Sequence, residues 1–358
     1  MRKLASIQKI IKIEPIEGAD KIEKATILGW EVVVKKDEFK AGDLVVYCEI
    51  DSILPDKPEF SFLKDRKFRI RTIKLRNQIS QGICFPLSIL PENVSIKEDK
   101  DVTEILGIVK YESPEEQIQE SPYPKWMPSW LVYIIKRLNR LFHLKYYSNE
   151  SSEFPEDVPK TDETRVQTLQ GVLDKHKGKE AYGTEKVDGT SITIRFKNNK
   201  LSVYSRNRHL FFKTGKYWQA VKELQLEKKF KKYFNRKDDV VFQGELLGPG
   251  IQGNRYKFED LRILFFDIFF PKYKEYASYY QFYNLCKNIG LDKVPLVYDC
   301  FPLPDSIPEI VEMSKGKSYY NSDIHREGIV IRLYDNINQR GKRVSLKAIN
   351  PDYLLKYE

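Results

Sequence analysis

The sequence predicts an α+β protein in two parts. An OB-like β-barrel is expected over residues 1–110 and a larger unit of antiparallel sheets and helices over 159–358, joined by a linker with an amphipathic helix over 111–158. Three observations carry this. A chain of 358 residues, 41% hydrophobic and 31% charged, is long enough for two separately cored domains. Its first hundred residues are short β-rich runs cut by Gly, Asp and Pro clusters. Beyond 159, strand-like runs alternate with helical stretches.

In the first part the runs are "KATILGWEVVVKK", "GDLVVYCEID", "FRIRTIKLR" and "QGICFPLSI". Five or so strands in so short a span suggest a small closed barrel, with the OB-fold leading. Within it, "KDRKFRIRTIKLR" holds seven basic residues in thirteen. Lys67, Arg69 and Arg71 alternate with Phe68 and Ile70, as in a strand with one wet basic face. Such a strip is either a charged edge that resists aggregation or a phosphate-contacting surface.

The joining segment opens on the acidic, Pro-bearing "ESPEEQIQESPYP". In "SWLVYIIKRLNRLFHL", Trp130, Ile134, Leu138, Leu141 and Phe142 fall near one helical face, so a helix packed on a neighbouring domain is expected ahead of one lying on a membrane. "SSEFPEDVPK" reads as a boundary. Strands are then expected at 182–196, 201–205, 239–247, 261–270, 327–334 and 343–349, and helices at 163–176, 214–234 and 275–289.

Charge is unevenly placed. Of the net +10, residues 1–158 hold 25 Lys+Arg against 26 Asp+Glu, and residues 159–358 hold 36 against 25. A basic surface of that size attracts polyanions, nucleic acid first. No apolar run reaches membrane-spanning length and no signal-peptide core follows Met1, so an intracellular protein without a membrane partner is expected. Cytoplasm and nucleus are not distinguished. The four cysteines, Cys48, Cys84, Cys286 and Cys300, are far apart and the histidines scattered, which argues against a disulfide framework or a zinc site; all four are expected as buried thiols.

"TEKVDGTSITIRF" sets Lys186 between Glu185 and Asp188. A lysine is a nucleophile only when neutral, and at a pKa near 10.4 about one in a few thousand is neutral at pH 7. Neighbouring acids hold the proton more tightly. Catalysis by Lys186 therefore requires further positive charge, from other cations or from a divalent ion. Taken alone, "EKVDG" is a weak pattern, equally suited to a surface lysine at a strand entry. Further on, however, "VYSRNRHL", "VVFQGELLGPGIQGN", "LRILFFDIFF", "HREGIVIRL" and "RVSLKAIN" place Arg206 and Asn207, Glu245, Phe266 and Asp267, Glu327, and Lys347 at or near strand ends. Taken singly, Arg206 would be an ordinary exposed arginine and Phe266 a core residue. A lysine between Leu346 and Ala348 is seldom buried without an anion. Together these strand ends suggest one cleft.

The ordered set "TEKVDG", "SRN", "GELLGPG", "FFDI", "EGIVIR" and "SLK" resembles motifs I, Ia, III, IIIa, IV and V of the covalent nucleotidyltransferases, which include DNA ligases, RNA ligases and mRNA capping enzymes. The long "GELLGPGIQGN" and the barrel ahead of the motifs look most like the ATP-dependent RNA ligase family 5 type. That resemblance implies a nucleotidyltransferase domain of ATP-grasp-like antiparallel sheets. It implies Lys186 as the nucleophile that takes AMP from ATP. Glu185, through its backbone, and Phe266 would hold adenine. Arg206 and Glu245 would contact the ribose or the RNA end, with Asn207 beside them. Asp188, Glu245 and Glu327 would hold Mg2+ or Mn2+ through its waters, Lys347 would grip the α-phosphate, and Arg165 in "DETRVQ" would meet the leaving pyrophosphate. The implied partner is RNA, as a nicked duplex or an RNA-containing hybrid, with Lys67, Arg69 and Arg71 on the barrel as contacts, and a monomer is expected.

Two positions depart from the pattern. Ile349 stands where relatives carry a second motif V lysine, so Arg332 or Lys342 is expected to replace that cation. Arg332 itself stands where lysine is usual, with a different geometry. With Glu358 eleven residues beyond Lys347, no trailing OB domain is expected, which disfavours a capping enzyme or a DNA ligase. A DNA ligase and a non-catalytic nucleic-acid-binding protein are the alternatives; the intact set Lys186, Glu245, Glu327 and Lys347 speaks against the second.

Overall fold

The computed structural model describes residues 3–111, 127–142, 153–211, 213–335 and 343–357. Its first strand, Ala5–Pro15, is shared by two halves of a curved sheet. Residues 5–9 pair antiparallel with Leu44–Cys48, and the stretch from Ile10 pairs with Ile22–Ile27 across a bulge between Ile10 and Lys12. The sheet order is Trp30–Lys35, Ile22–Ile27, Ala5–Pro15, Leu44–Cys48, Ile83–Phe85. Its ends meet where Gln81 N–H donates to the Glu31 carbonyl at 2.8 Å and Val33 N–H donates to Ser80 Oγ at 3.0 Å. The result is a nearly closed five-stranded barrel around Ile7, Ile10, Trp30, Val46, Tyr47 and Phe60, as expected.

The basic segment differs from the expected strand. Pro58–Arg66 forms 3-10 helix, and Lys67 and Phe68 then take left-handed backbone angles (φ 51° and 58°), so no alternation can develop. Ile70 is buried as anticipated, but Arg69 is buried with it; its guanidinium lies 3.5 Å from the Tyr111 ring centroid and 3.7 Å from Asp51. Only Lys67 and Arg71 of the alternating cations face solvent. The cysteine expectation also needs correcting: Cys48 and Cys286 are buried, Cys84 is partly buried, and Cys300 is exposed.

The larger part consists of two five-stranded sheets. One runs Thr164–Arg165, Ser345–Ile349, Gly328–Leu333, Glu180–Lys186, Leu296–Pro302. The other runs Lys200–Tyr204, Thr190–Lys197, Asp239–Leu247, Arg262–Phe270, Glu275–Tyr276. The expected single run at 182–196 is thus two strands in different sheets, with the chain crossing between them over 187–189. Gly189 permits the crossing, because a Cβ there would stand 2.5 Å from the Leu246 carbonyl oxygen and 2.8 Å from Glu245 Cγ.

Strand alternation sorts the side chains. Ala181, Ile329, Ile331, Leu346 and Ala348 form one core with Leu173, Ile307 and Ile310, which come from the helices Gln170–His176 and Ile307–Ser314. Ile192, Ile194, Phe196, Phe242 and Phe265 form another with Trp218, Phe230 and Cys286 of the helices Gly215–Glu223, Leu226–Tyr233 and Tyr279–Ile289. Tyr182, Thr184, Lys186, Arg332 and Lys347 line the opposite face of the first sheet, and Thr193, Gln243, Glu245 and Asp267 that of the second. These polar faces are tied together by Arg332, which donates to Asp267 at 3.2 Å.

The helix expected at 214–234 breaks at Gln225 (φ 52°), and that expected at 163–176 begins as the strand Thr164–Arg165 and a 3-10 turn over Val166–Thr168, with α-helix only from Gln170. The strand Leu296–Pro302 and the helices Ile307–Ser314 and Pro351–Tyr357 were not anticipated. Ser129–Phe142 is helical as expected, but Trp130, Tyr133, Ile134 and Leu138 are exposed instead of packed on a neighbour. The run "ESPEEQIQESPYP" and Lys342 lie outside the described residues, as do the side chains of Leu141 and Phe142. Among the described residues no helix is long and apolar enough to cross a membrane.

Ile349, Tyr353 and Leu354 join the barrel's own core. The strand that ends at Ile349 passes so close to Gly328 that a Cβ at 328 would collide with the Ala348 carbonyl oxygen and stand 2.9 Å from Ile349 Cα. Gly328→Ala is therefore expected to lower the unfolding free energy by about 1–3 kcal/mol. It should appear as a lower urea midpoint at unchanged slope.

Candidate active site

Lys186 ends its strand opposite Gly328, which brings Glu327 beside it. Lys186 Nζ donates to Glu327 Oε1 at 2.6 Å, with the two side chains 26% and 17% exposed. Asp188, in the crossing turn, is held from three sides. Its N–H donates to the Tyr256 hydroxyl at 2.7 Å, while its Oδ2 accepts from the Tyr353 hydroxyl at 2.5 Å and from Arg255 Nη1. Glu245, on the facing sheet, supplies a third carboxylate that Lys186 feels.

The charges set the protonation. Burial pulls the Lys186 pKa down, but Glu327, Glu245 and Asp188 together outweigh it, and the ammonium is held above the ordinary lysine value. Burial raises Glu327, with Asp188 adding to the rise and Lys186 and Lys347 opposing it. Burial likewise pushes Glu245 up to about 8, with Lys186 and Arg206 opposing and Glu327 and Asp188 reinforcing. The resting site is thus a charged lysine in a carboxylate-rich pocket.

The structure brings most of the anticipated residues here. Lys347 stands in register with Val330 on one side and Arg165 on the other, on the face that carries Lys186. Arg165 Nη2 donates to the barrel's Asp51 at 3.0 Å, while its buried Nε and Nη1 make no hydrogen bond among the described residues. A bulge between Gln243 and Gly244 leaves Phe266 unopposed in its strand, and its ring packs in the cluster that contains Val187, the residue after the lysine. Arg206 donates to Asp162 at 2.5 Å, and the exposed Asn207 accepts from Lys160 at 3.1 Å. The Glu185 side chain is 2% exposed and accepts from Tyr319 N–H at 2.9 Å; its own N–H goes to the Pro295 carbonyl.

Arg332, put forward as a substitute phosphate cation, is 2% exposed, with its guanidinium on Glu163 (3.1 Å) and Asp267 (3.2 Å). Arg343 also binds Asp267. Ile349 is apolar because its position packs against the barrel core. Lys67, Arg69 and Arg71 lie on the barrel, where Arg69 shares Asp51 with Arg165.

Sequence reasoning missed Arg255, Tyr256 and Tyr353, which orient Asp188, and Asp51, which binds Arg165. None repeats at a period, and each acts across more than sixty positions of chain. Their only trace was proximity to a motif: Arg255 directly follows "GPGIQGN".

Among the described residues no three His, Cys, Asp or Glu side chains are arranged as direct metal ligands. Glu327 Oε2 is nevertheless buried without a hydrogen-bond partner among them, beside two further carboxylates. That donor set suits a hydrated divalent cation held through its waters.

Two facing sheets with a lysine at their crossing, beside carboxylates and on one face with Lys347 and Arg165, define the class of nucleotidyltransferases. A family model described as RNA ligase matches residues 179–349, and an OB-fold domain model matches residues 4–87. Among solved structures, a mutant Naegleria gruberi RNA ligase in its apo form superposes with a TM-score of 0.81 at 32% identity, covering 99% of this chain and 98% of that one. Another mutant of that enzyme, with ATP and Mn, gives 0.81 at 31% identity over 99% of each chain. The same enzyme with PPi gives 0.80 at 32% identity over 100% and 99%. The chain belongs to the RNA ligase family. No match is found among the curated proteins.

With Glu245 raised from 4.5 to about 8, the native state keeps a proton that the unfolded chain loses between those values. Glu245 therefore costs stability progressively as pH rises from about 4.5 to 8. In metal-free buffer, Glu245→Gln should unfold at higher urea than the parent at pH 8.5, and the advantage should vanish near pH 5. Parallel stability curves for the two proteins would contradict the assignment.

Proposed function

We propose that the protein is an ATP-dependent RNA ligase that joins 3′-OH and 5′-phosphate ends at nicks through a covalent Lys186–AMP intermediate. The observation that carries this is Lys186 at the sheet crossing, paired with Glu327 at 2.6 Å and on one face with Lys347 and Arg165. Support comes from the relative solved with ATP and Mn and the one solved with PPi.

Lys186 Nζ, once neutral, attacks the α-phosphorus of ATP; an N–P bond forms, a P–O bond breaks, and pyrophosphate leaves. Lys347 neutralises the α-phosphate, and Arg165 meets the leaving pyrophosphate. Phe266 and the Glu185 backbone seat the adenine, and Arg206 and Glu245 the ribose. A 5′-phosphate of RNA then displaces Lys186 from AMP to give an adenylylated end. The neighbouring 3′-OH attacks that end, closing the phosphodiester and expelling AMP. Mg2+ or Mn2+, held through water by Glu327, Asp188 and Glu245, would supply positive charge that offsets the phosphate oxygens and opposes the proton on Lys186.

In this reading residues 1–110 serve nucleic-acid binding, residues 159–358 perform adenylylation, and Asn207 with Lys67, Arg69 and Arg71 contacts RNA. The working unit in this reading is a monomer acting inside the cell.

Incubation with radiolabelled ATP and magnesium should leave a covalent label on the protein. Lys186→Arg should keep the fold and lose the label. On matched nicks, RNA on the 3′-OH side should be sealed faster than DNA. An unlabelled wild-type protein sinks the proposal, and equal sealing removes the RNA preference.

A further inference from the structure

Between the barrel and the C-terminal helix Pro351–Tyr357 lies a half-open pocket of about 550 Å³, lined by Arg66, Lys67, Arg69 and Arg71 of the barrel and by Leu354 and Leu355 of the helix. We propose that this cavity is a seat for one backbone unit of the RNA strand. This deepens the RNA ligase reading and rests on it.

The chemistry favours a phosphodiester. Four cations face the space against one carboxylate, Asp65, an excess that a polyanion would neutralise. Arg69 is fixed before any ligand arrives: its guanidinium lies over the Tyr111 ring at 3.5 Å and beside Asp51, so little side-chain freedom remains to be lost on binding. Ile53, Ile73, Leu354 and Leu355 give the seat an apolar side on which a sugar or base can rest. The volume lies in the range of small-ligand pockets and admits one nucleotide unit.

Position supports the same occupant. The lining cations lie between the barrel strands Leu44–Cys48 and Ile83–Phe85, the connection between the fourth and fifth strands. OB-folds use that connection for oligonucleotides, which is a fold-level analogy. The other wall belongs to the helix whose Tyr353 hydroxyl holds Asp188 beside the lysine. An RNA strand in the cavity therefore touches the same short helix that orients the catalytic turn.

The test is binding of a fluorescent nicked RNA duplex to the full chain without ATP or metal, across a salt series. Two variants are compared with the wild type. Lys67→Ala/Arg71→Ala removes two exposed cations, and Leu355→Trp fills the space without removing charge. Each is first shown to unfold at the wild-type temperature; if the tryptophan variant is unfolded, the double alanine variant decides.

The double variant is expected to bind RNA several-fold more weakly, with the log affinity against log salt slope reduced by about 0.9 for one lost phosphate contact. The tryptophan variant should also bind more weakly. Wild-type affinity and slope in the double variant would overturn the proposal, as would a folded tryptophan variant that binds normally. Inorganic pyrophosphate binding, followed by calorimetry, should be the same in all three proteins; a parallel loss would assign the cavity to free polyphosphate instead. Covalent labelling of the wild-type protein by ATP, measured separately, tests the RNA ligase reading itself.

Discussion

The ion pair between Lys186 and Glu327 is the constraint around which the rest of the molecule is arranged. It exists only because the Glu180–Lys186 strand ends opposite Gly328, and that register requires Gly328 to have no side chain. Past the lysine the chain must change sheets at once, and Gly189 lets it do so against the Leu246 carbonyl. The two sheets are then clamped by Arg332 between Glu163 and Asp267. A buried pair of this kind is weak evidence for stability, since desolvation offsets much of its attraction. Its value is positional: it points one amine at a defined place while holding it charged. Whatever makes the amine reactive must bring positive charge to the pocket.

The barrel is joined to this centre by more than a linker. Tyr353 packs in the barrel core while its hydroxyl reaches Asp188, so one side chain belongs to both units. Asp51, on the barrel, accepts from Arg165, which lies in register with Lys347. Ile349, where the resemblance implies a second motif V lysine, has the same origin: a position that packs among Tyr353, Leu354 and the barrel's apolar residues has no room for a solvated charge. Its side chain serves contact between the two parts.

Most of the architecture was legible in the sequence, because strands with one buried face write their period into it. The runs 239–247 and 261–270, with Phe242, Phe265 and Ile268 facing one core, were found almost to the residue. The short barrel strands were legible for the same reason. The failures share a different cause. Lys67–Arg71 alternates like a strand, yet left-handed angles at Lys67 and Phe68 turn Arg69 inward, and a pattern of charges does not record backbone handedness. The site was legible where motifs are contiguous, as at Lys186, Glu245 and Glu327. Arg255, Tyr353 and Asp51 were not, since their partners are set by how the sheets, barrel and last helix meet.

The central claim is that the carboxylates around Lys186 hold its amine charged until opposing charge enters the pocket. It is tested most directly by following the Lys186 side-chain nitrogen by 15N NMR through a pH titration of the metal-free protein. The account predicts a midpoint above the ordinary lysine value of 10.5, lowered when Glu327 is replaced by glutamine. A midpoint below 10.5 in the unmodified protein would contradict it.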